Sequence, residues 1–525
     1  MITIKRALIS VSDKTGLESF VKGLNKFGIQ MISTGGTTRF IRTLGMDTTP
    51  IEAVTGFPEM LNGRVKTLHP KIHGGLLALR EKQDHMDQLK QHGIEPIDMV
   101  VVNLYPFKNT VSKPGIRLKE AIENIDIGGP SMLRSAAKNY SSVAVITSPN
   151  QYEGILQELD KNNGMLSDDM LAMLAIETFK LTSEYDNHIY NYLNSKLYSE
   201  AGEGSGSIFP RNLDIKLTKI QGLRYGENPH QEAAFYKGPN AQKSSMAFAK
   251  QIHGKDLSYN NIMDMDAALE TIREFDQPAA CIIKHTNPCG MATAETLAKA
   301  YNDALECDNM SAFGGIIGLN KKVDVNTAEA ILASGFKECV IAAGYENNAL
   351  KRLMTKENLR LVSIEPITKV RDKDEFHLRK LTGAMLLQRK DLQDIDRSQL
   401  KIVTQKKPTP EEVDALLFAW KAVKHVKSNA IVLVSGPKTV GIGAGQMSRV
   451  DSVFMAVHKA QDRAKGSVLA SDAFFPKEDA IEFAADAGVT SIIQPGGSKA
   501  DDKIIEIANK RELSMVFTGI RHFRH

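Results

Sequence analysis

The sequence predicts an α/β protein of more than one domain, and three observations predict it. Short apolar runs alternate with helical periodicity through the first third of the chain, the grammar of a parallel sheet with crossover helices. Val468 to Phe517 repeats that grammar as a compact β-α-β-α-β series. Between them, the run Ala279-Ala280-Cys281-Ile282-Ile283 reads as a buried strand and ends in Lys284-His285. At roughly 100–200 residues per domain, 525 residues imply two to four domains.

Taken in order, Ala7 to Val11 is a first short strand, and helical periodicity follows from Leu17 to Phe27. Ile29 to Ile32 is a second strand, ending in Ser33-Thr34-Gly35-Gly36-Thr37, and Met99 to Leu104 is a third. A long helix is expected from about Asp168 to Leu197. The aperiodic Gly/Ser/Glu-rich stretch from Glu200 to Ser207 reads as the main linker. The expected division is therefore 1–199, a linker over 200–210, and 211–525. The region after the linker again reads α/β, with no repeat or low-complexity tract evident.

Composition narrows the function. Hydrophobic residues make up 42% and charged residues 24%, an ordinary globular balance. A net charge of +4 is too small to argue for nucleic acid and suits small anionic ligands. Cys281, Cys289, Cys307 and Cys339 form no CxxC pair, as expected of a reduced, intracellular protein without a structural zinc site. The start, MITIKRALISVSD, lacks the apolar core of a signal peptide. No run approaches the roughly 18 apolar residues of a membrane span.

Several loops carry candidate chemistry. Pro288 and Gly290 should stop the strand after Ile283, placing Lys284-His285 at a carboxyl edge, where open α/β sheets bind ligands. Histidine titrates near neutrality and suits a base; a polar loop capping a strand explains the dipeptide equally well. Ser10-Val11-Ser12-Asp13-Lys14-Thr15-Gly16 and Ser33-Thr34-Gly35-Gly36-Thr37 each follow a strand and open a helix. Together they could cup a phosphate on free N–H groups, with Lys14 as counter-charge, or be ordinary N-caps. In Gly63-Arg64-Val65-Lys66-Thr67, Arg64 and Lys66 alternate and would share one side of an extended segment. Tyr105 ends a strand, and Asp126 precedes Gly128-Gly129 and a helix bearing Lys138. Asn429 precedes the strand Ala430 to Val434. Gly441 to Arg449 reads as a glycine loop before a helix, though not as GxGxxG. Ser471-Asp472-Ala473-Phe474-Phe475-Pro476 puts two aromatics at a strand end, where core packing is the ordinary explanation.

These strings, in order, resemble one family over essentially the whole chain. SVSDKTG, STGGT, TGFPEMLNGRVKTLHPKIHGG, NLYPF, IDIGGPSMLRSAAKN, LRYGENPHQ, IKHTNPCG, SAFGG, KSNAI, GIGAGQMSR, SDAFFP and the terminal RHFRH look like the bifunctional purine-biosynthesis enzymes. Those enzymes join phosphoribosylaminoimidazolecarboxamide (AICAR) formyltransferase to IMP cyclohydrolase. Asn309, Met310 and Ala343 depart from commoner family residues.

The resemblance implies a methylglyoxal-synthase-like parallel-sheet domain followed by two tandem cytidine-deaminase-like α/β units. It implies formyl transfer from 10-formyltetrahydrofolate to AICAR, then ring closure to IMP with loss of water. For transfer it assigns His285 as base, Lys284 to the oxyanion and Asn429 to the formyl oxygen. Arg224, Tyr225, Gly314, Arg449 and His525 would hold the nucleotide. Met310, Phe313, Phe474, Pro476, Asp479 and Arg521 would line the folate site. For cyclisation it assigns Lys66 to the oxyanion, with Tyr105, Asp126 and Lys138 orienting the amide and moving protons. Ser12, Lys14, Thr34, Gly36, Arg64 and Thr67 would hold the phosphoribose. It further implies no catalytic metal, room for a structural monovalent cation, a cytoplasmic homodimer sharing its transferase sites, and neither nucleic-acid nor membrane partners. Two rivals are weaker. A zinc deaminase needs HxE and PCxxC ligands, whereas Gly290-Met291-Ala292 follows Pro288-Cys289. A nucleotide sensor would need the phosphate cups but not His285 beside Lys284.

Overall fold

Strands whose side chains are apolar on both sides need cover on both faces, and the first sheet has it. The computed structural model describes residues 1–61, 64–197, 208–209, 212–368 and 375–525. Strands β1 (Arg6–Ser10), β2 (Gln30–Ser33), β3 (Thr49–Pro50), β4 (Met99–Val102) and β5 (Ala144–Ile146) lie in the order β3-β2-β1-β4-β5. Every neighbouring pair is parallel. Alternation along β1 sends Ala7 and Ile9 into one core with Phe20, Leu24 and Leu159. Leu8 goes into the other, with Ile32, Val100 and Leu133. Helices α1 (Leu17–Lys26), α2 (Gly35–Thr43), α3 (Pro70–Leu77), α4 (Gly128–Lys138) and α5 (Asp168–Leu197) belong to the same unit. That unit spans residues 1–212, and a second spans 213–525. The linker expected over 200–210 lies outside the described residues except for Ile208 and Phe209.

The second unit is organised by one twelve-stranded sheet. Its strands are β6 (Lys250–His253), β7 (Ala279–Lys284), β8 (Asn287–Thr293), β9 (Ile316–Leu319), β10 (Cys339–Ala342) and β11 (Arg360–Ser363). Then come β12 (Lys401–Ile402), β13 (Ile431–Ser435), β14 (Lys438–Gly443), β15 (Val468–Ser471), β16 (Ser491–Gln494) and β17 (Ser514–Phe517). The order is β6-β11-β10-β9-β7-β8-β14-β13-β15-β16-β17-β12. Read outward from the antiparallel β8–β14 seam, the two halves are alike. Each has a hairpin, an antiparallel neighbour, two parallel strands and an antiparallel edge.

The likeness extends to local detail. Both hairpins bulge at the same place, after Ile282↔Gly290 and after Leu433↔Gly441. Both of these glycines lie under the next helix, α7 (Leu297–Cys307) or α9 (Arg449–Ala460). A Cβ on Gly290 would come 2.0 Å from the Ala304 carbonyl, and one on Gly441 2.1 Å from that of Ala456. Helices α6 (Tyr259–Ile272) and α8 (Pro410–Val423) precede the hairpins, and both open on capping boxes, at Ser258 and Thr409.

Three sequence expectations are corrected here. A repeat does exist: Ala279-Ala280-Cys281-Ile282-Ile283-Lys284 and Ile431-Val432-Leu433-Val434-Ser435 share burial, bulge and register but not residue identity. Pro288 and Gly290 do not end the strand, since β8 starts two residues later and contains both. The bulge accommodates proline and the close helix requires glycine. Likewise Gly441 and Gly443 lie in β14 rather than in a loop, for the same helix-packing reason.

Candidate active sites

In the first unit, the carboxyl edge of the parallel sheet gathers the expected loops. Ser10 Oγ and Thr34 Oγ1 lie 2.8 Å apart, and the Val11 N–H donates to Thr37 Oγ1 at 3.2 Å. Lys14 Nζ donates to the Val11 carbonyl at 2.5 Å and to Thr37 at 3.1 Å. Burial pulls its pKa below the ordinary lysine value. Helix α2 starts at Gly35 with no side-chain cap from Thr34, whose carbonyl accepts the Thr37 and Thr38 N–H groups at 2.8 and 3.1 Å. Gly36 is the second residue of that helix.

Lys66 abuts this turn: a Cβ on Gly35 would come 2.8 Å from its Nζ. Thr67 abuts the next loop, its Oγ1 2.7 Å from where a Gly128 Cβ would stand. Asp126 then caps α4 by accepting the Gly129 N–H at 2.9 Å. Its own N–H donates to the Tyr185 hydroxyl at 2.8 Å. Burial raises the Asp126 pKa, against the pull of the Gly129 and Tyr105 N–H groups. Tyr105 is exposed beside a cleft of ≈ 470 Å³ lined also by Ser12, Asn103, Thr147, Tyr185 and His188.

One expectation changes. Arg64 and Lys66 do not share an extended face. Met60 and Val65 pair as an isolated antiparallel bridge; Arg64 pairs with Glu123 and Lys66 with Glu59 at 2.5 Å. Lys138 occupies the last turn of α4 and is exposed, about 15 Å along the axis from Gly128 at 1.5 Å per residue.

In the second unit the relevant edge is the one where β7 ends and β13 begins. Lys284 Nζ donates to the Phe313 carbonyl at 2.8 Å. Gly314 follows, its N–H bonded to the Phe336 carbonyl at 2.9 Å. His285 and Thr286 form the β7–β8 turn, and Asp264 on α6 accepts both their N–H groups, at 3.1 and 2.7 Å. Asn287 accepts the Lys427 N–H at 3.0 Å, which ties the turn to the approach of β13.

Asn429 is held through its side chain. Its Nδ2 donates to the Met447 carbonyl at 3.0 Å, and its Oδ1 accepts from Arg449 at 3.0 Å. Arg449 is buried, donating also to the Ala430 carbonyl and pairing with fully buried Asp472. Asp472 accepts from Ser428 Oγ as well. The two aromatics beyond β15 divide: Phe475 is in the core, Phe474 is exposed. Pro476, Asp479, Met310 and Phe313 are exposed.

Arg224 and Tyr225 pair with each other. They follow one strand of an exposed hairpin, Thr218–Leu223 with Ala233–Lys237, stacked on each other at 4.7 Å. The tail returns to the edge: the His522 N–H donates to the Asp472 carbonyl, and Ser428 and Arg524 exchange two bonds, at 2.9 and 3.0 Å. Phe523 is exposed beneath Arg521, and His525 is exposed. Buried His522 and half-buried Arg524 are the anchors.

Sequence reasoning passed over Asp264 and Asp472 as ligands of the site's own backbone and side chains. The available signal was, for Asp264, an aspartate on the helix before the strand, a position that amphipathic reading assigns to solvent, and, for Asp472, an aspartate directly after the strand Val468–Ser471.

Fold and sites together define a two-unit α/β enzyme. Residues 136–459 match the family model described as AICARFT/IMPCHase bienzyme, and residues 16–131 match that of the MGS-like domain. Similar proteins include the bifunctional purine biosynthesis protein PurH of Magnetococcus marinus, 51% identical with 100% of each chain covered. That of Oceanobacillus iheyensis is 48% identical, over 99% of this chain and 100% of its own. That of a Thermoanaerobacter species is 50% identical, over 99% and 100%. The chain belongs to the AICARFT/IMPCHase bienzyme family, with an MGS-like domain at its amino end. It is a bifunctional enzyme of purine biosynthesis, an AICAR formyltransferase and IMP cyclohydrolase.

Proposed function

We propose that residues 1–199 carry cyclisation and 211–525 formyl transfer, with 10-formyltetrahydrofolate as donor. One observation supports this most directly: Lys284-His285 and the Asn429-Arg449-Asp472 cluster share one edge of the second sheet. The 5-amino group of AICAR is conjugated with the ring carboxamide and is a poor nucleophile. His285 removes its proton as nitrogen attacks the formyl carbon. Lys284, held by a neutral carbonyl rather than a carboxylate, stabilises the oxyanion. Asn429 orients the formyl oxygen, and Arg449 fixes Asn429 beside the nucleotide. Collapse of the adduct breaks the bond to the folate nitrogen, which leaves protonated as an amine. Exposed Phe313, Phe474, Pro476 and Met310 suit a flat pterin, with Asp479 and Arg521 at its polar ends.

In cyclisation the carboxamide nitrogen attacks the formyl carbon of the same molecule and water leaves. Holding the reactive conformer is much of that catalysis. Ser12, Lys14, Thr34, Gly36, Arg64 and Thr67 seat the phosphoribose. Lys66 stabilises the oxyanion, and Tyr105 and Asp126 orient the amide and move protons. Lys138, at the far end of α4, has the least geometric support.

The same reading includes tandem cytidine-deaminase-like units, supported by the duplicated strand order. It includes a cytoplasmic homodimer that shares its transferase sites. A second exposed hairpin, Phe376–Leu381 with Ala384–Arg389, bears Leu378, Met385 and Leu386; such two-stranded arms are marginal alone. Gly314, His525 and a structural monovalent cation complete it. Among the described residues, no helix is long and apolar enough to cross a membrane. Incubating the protein with AICAR and 10-formyltetrahydrofolate should yield IMP, and residues 1–199 alone should convert formyl-AICAR to IMP. Cyclisation that returns only with the second unit would overturn the division.

A further inference from the structure

The duplicated sheet supplies an internal control for the turn that carries His285. His285 and Thr286 take φ of 53° and 62°, between the paired residues Lys284 and Asn287. Two successive left-handed residues make a two-residue hairpin turn whose preferred occupants are Asn-Gly. A β-branched threonine there is strained. At the matching corner of the second half, Gly436 (φ 59°) and Pro437 join Ser435 to Lys438. Glycine in first position makes that turn at no steric cost.

One further difference accompanies the strained pair. Asp264 Oδ2 accepts the His285 N–H at 3.1 Å, and Oδ1 accepts the Thr286 N–H at 2.7 Å. Each carboxylate oxygen therefore holds one of the two left-handed residues. Asp264 is the sixth residue after the N-cap Ser258. The sixth after the matching N-cap, Thr409, is Ala415, which is buried. Helices α6 and α8 are both 14 residues long and share the capping box. Alanine at this place is thus compatible with helix, hairpin and sheet. What lacks the carboxylate is the half whose turn is Gly-Pro.

We propose that Asp264 is a positioning residue of formyl transfer, holding the left-handed His285-Thr286 pair in the conformation that presents His285 to the substrate. The proposal rests on the role given to His285 above. It accounts for a half-buried carboxylate whose partners are two backbone N–H groups rather than a cation.

Asp264→Ala, Thr286→Gly, the double variant and His285→Ala would be compared in steady-state formyl transfer by the full-length enzyme. Misplacing a catalytic group by about 1 Å costs on the order of 10²-fold. Asp264→Ala should therefore lower kcat about that much, with KM for both substrates changed less than about threefold and cyclisation unchanged. Thr286→Gly alone should sit near wild type. In the double variant it should recover about tenfold, because glycine adopts the left-handed turn unaided; this is non-additivity of coupled neighbours. A merely structural aspartate would lower the melting temperature without such rescue. Asp264→Ala with wild-type kcat, or a double variant no better than Asp264→Ala, would overturn the proposal. His285→Ala with wild-type transfer would instead overturn the reading beneath it. If Asp264→Ala does not fold, Asp264→Asn, which keeps one acceptor oxygen, bears the same comparison with and without Thr286→Gly.

Discussion

The guanidinium of Arg524 donates to Nδ1 of His425 at 3.3 Å, so the penultimate residue is wired into the second core. The other ring nitrogen, Nε2, contacts Glu274 at 3.2 Å. With Nδ1 accepting, the neutral ring carries its proton on Nε2. The backbone of Arg524 meanwhile holds Ser428, the neighbour of Asn429. The chain end thus braces a residue proposed to touch the formyl group.

Deleting residues 521–525 should cripple formyl transfer and spare cyclisation in the first unit. The responsible residue is expected to be Arg524 rather than Phe523. Loss of a hydrogen bond involving a charged group costs about 1.5–3 kcal/mol, so Arg524→Ala should destabilise the second unit by that order. Phe523→Ala, at an exposed site, should shift stability by no more than about 0.5 kcal/mol. Melting curves and transfer assays of the two variants check this, and equal effects would refute it.

His425 should make the second unit acid-sensitive. Burial lowers its pKa from 6.5, with Arg524 and Lys424 acting the same way and Glu274 opposing. A depressed histidine pKa means the unfolded chain binds the extra proton first. The stability it contributes is complete above pH 6.5 and is lost as pH falls below it. His425→Gln cannot titrate, so the melting-temperature gap between wild type and variant should narrow from pH 8 to pH 5. A gap that widens on acidification would reverse the sign.

Much of this was legible beforehand. Apolar runs such as Met99–Val102 and the periodicity of Asp168–Leu197 marked elements correctly, because burial sets both. The duplication was implied by the family resemblance but was not legible in the residues themselves. Its signature is a bulge, a capping box and a glycine under a carbonyl, none of which needs matching residues. The hairpin after Ile283 was missed because proline and glycine read as stops until the bulge and the α7 backbone are known. Arg64 and Lys66 diverge as they pair with Glu123 and Glu59, and a charge partner as distant in sequence as Glu123 leaves no local trace.

Asp126→Asn should trade function for stability. Burial raises this carboxyl's pKa, so the folded protein holds the proton more tightly than the unfolded chain. The stability it contributes is greatest below the ordinary value of 3.8 and declines as pH rises through the raised value. A neutral amide avoids that decline while its oxygen still accepts from Gly129. The variant should melt higher than wild type at pH 8, with the difference shrinking towards pH 4. Its cyclisation should fall by about 10²–10⁴-fold, the range for a lost proton-transfer group.

Lys66→Ala and His285→Ala should fail in opposite directions. Lys66 lies against the α2 turn in the first unit, and His285 lies in the β7–β8 turn of the second. Losing an oxyanion donor costs about 10²–10³-fold in kcat. Lys66→Ala should therefore still formylate AICAR and accumulate formyl-AICAR. His285→Ala should close supplied formyl-AICAR at the wild-type rate yet make little of it from AICAR. The Glu59 pairing adds a check. Glu59 occupies the ammonium at 2.5 Å, where the reaction needs a free positive charge, so Glu59→Gln should lower KM for formyl-AICAR without lowering kcat. Following AICAR, formyl-AICAR and IMP by chromatography in one incubation separates the outcomes. If either catalytic variant lost both reactions while remaining folded, two independent sites could not be sustained.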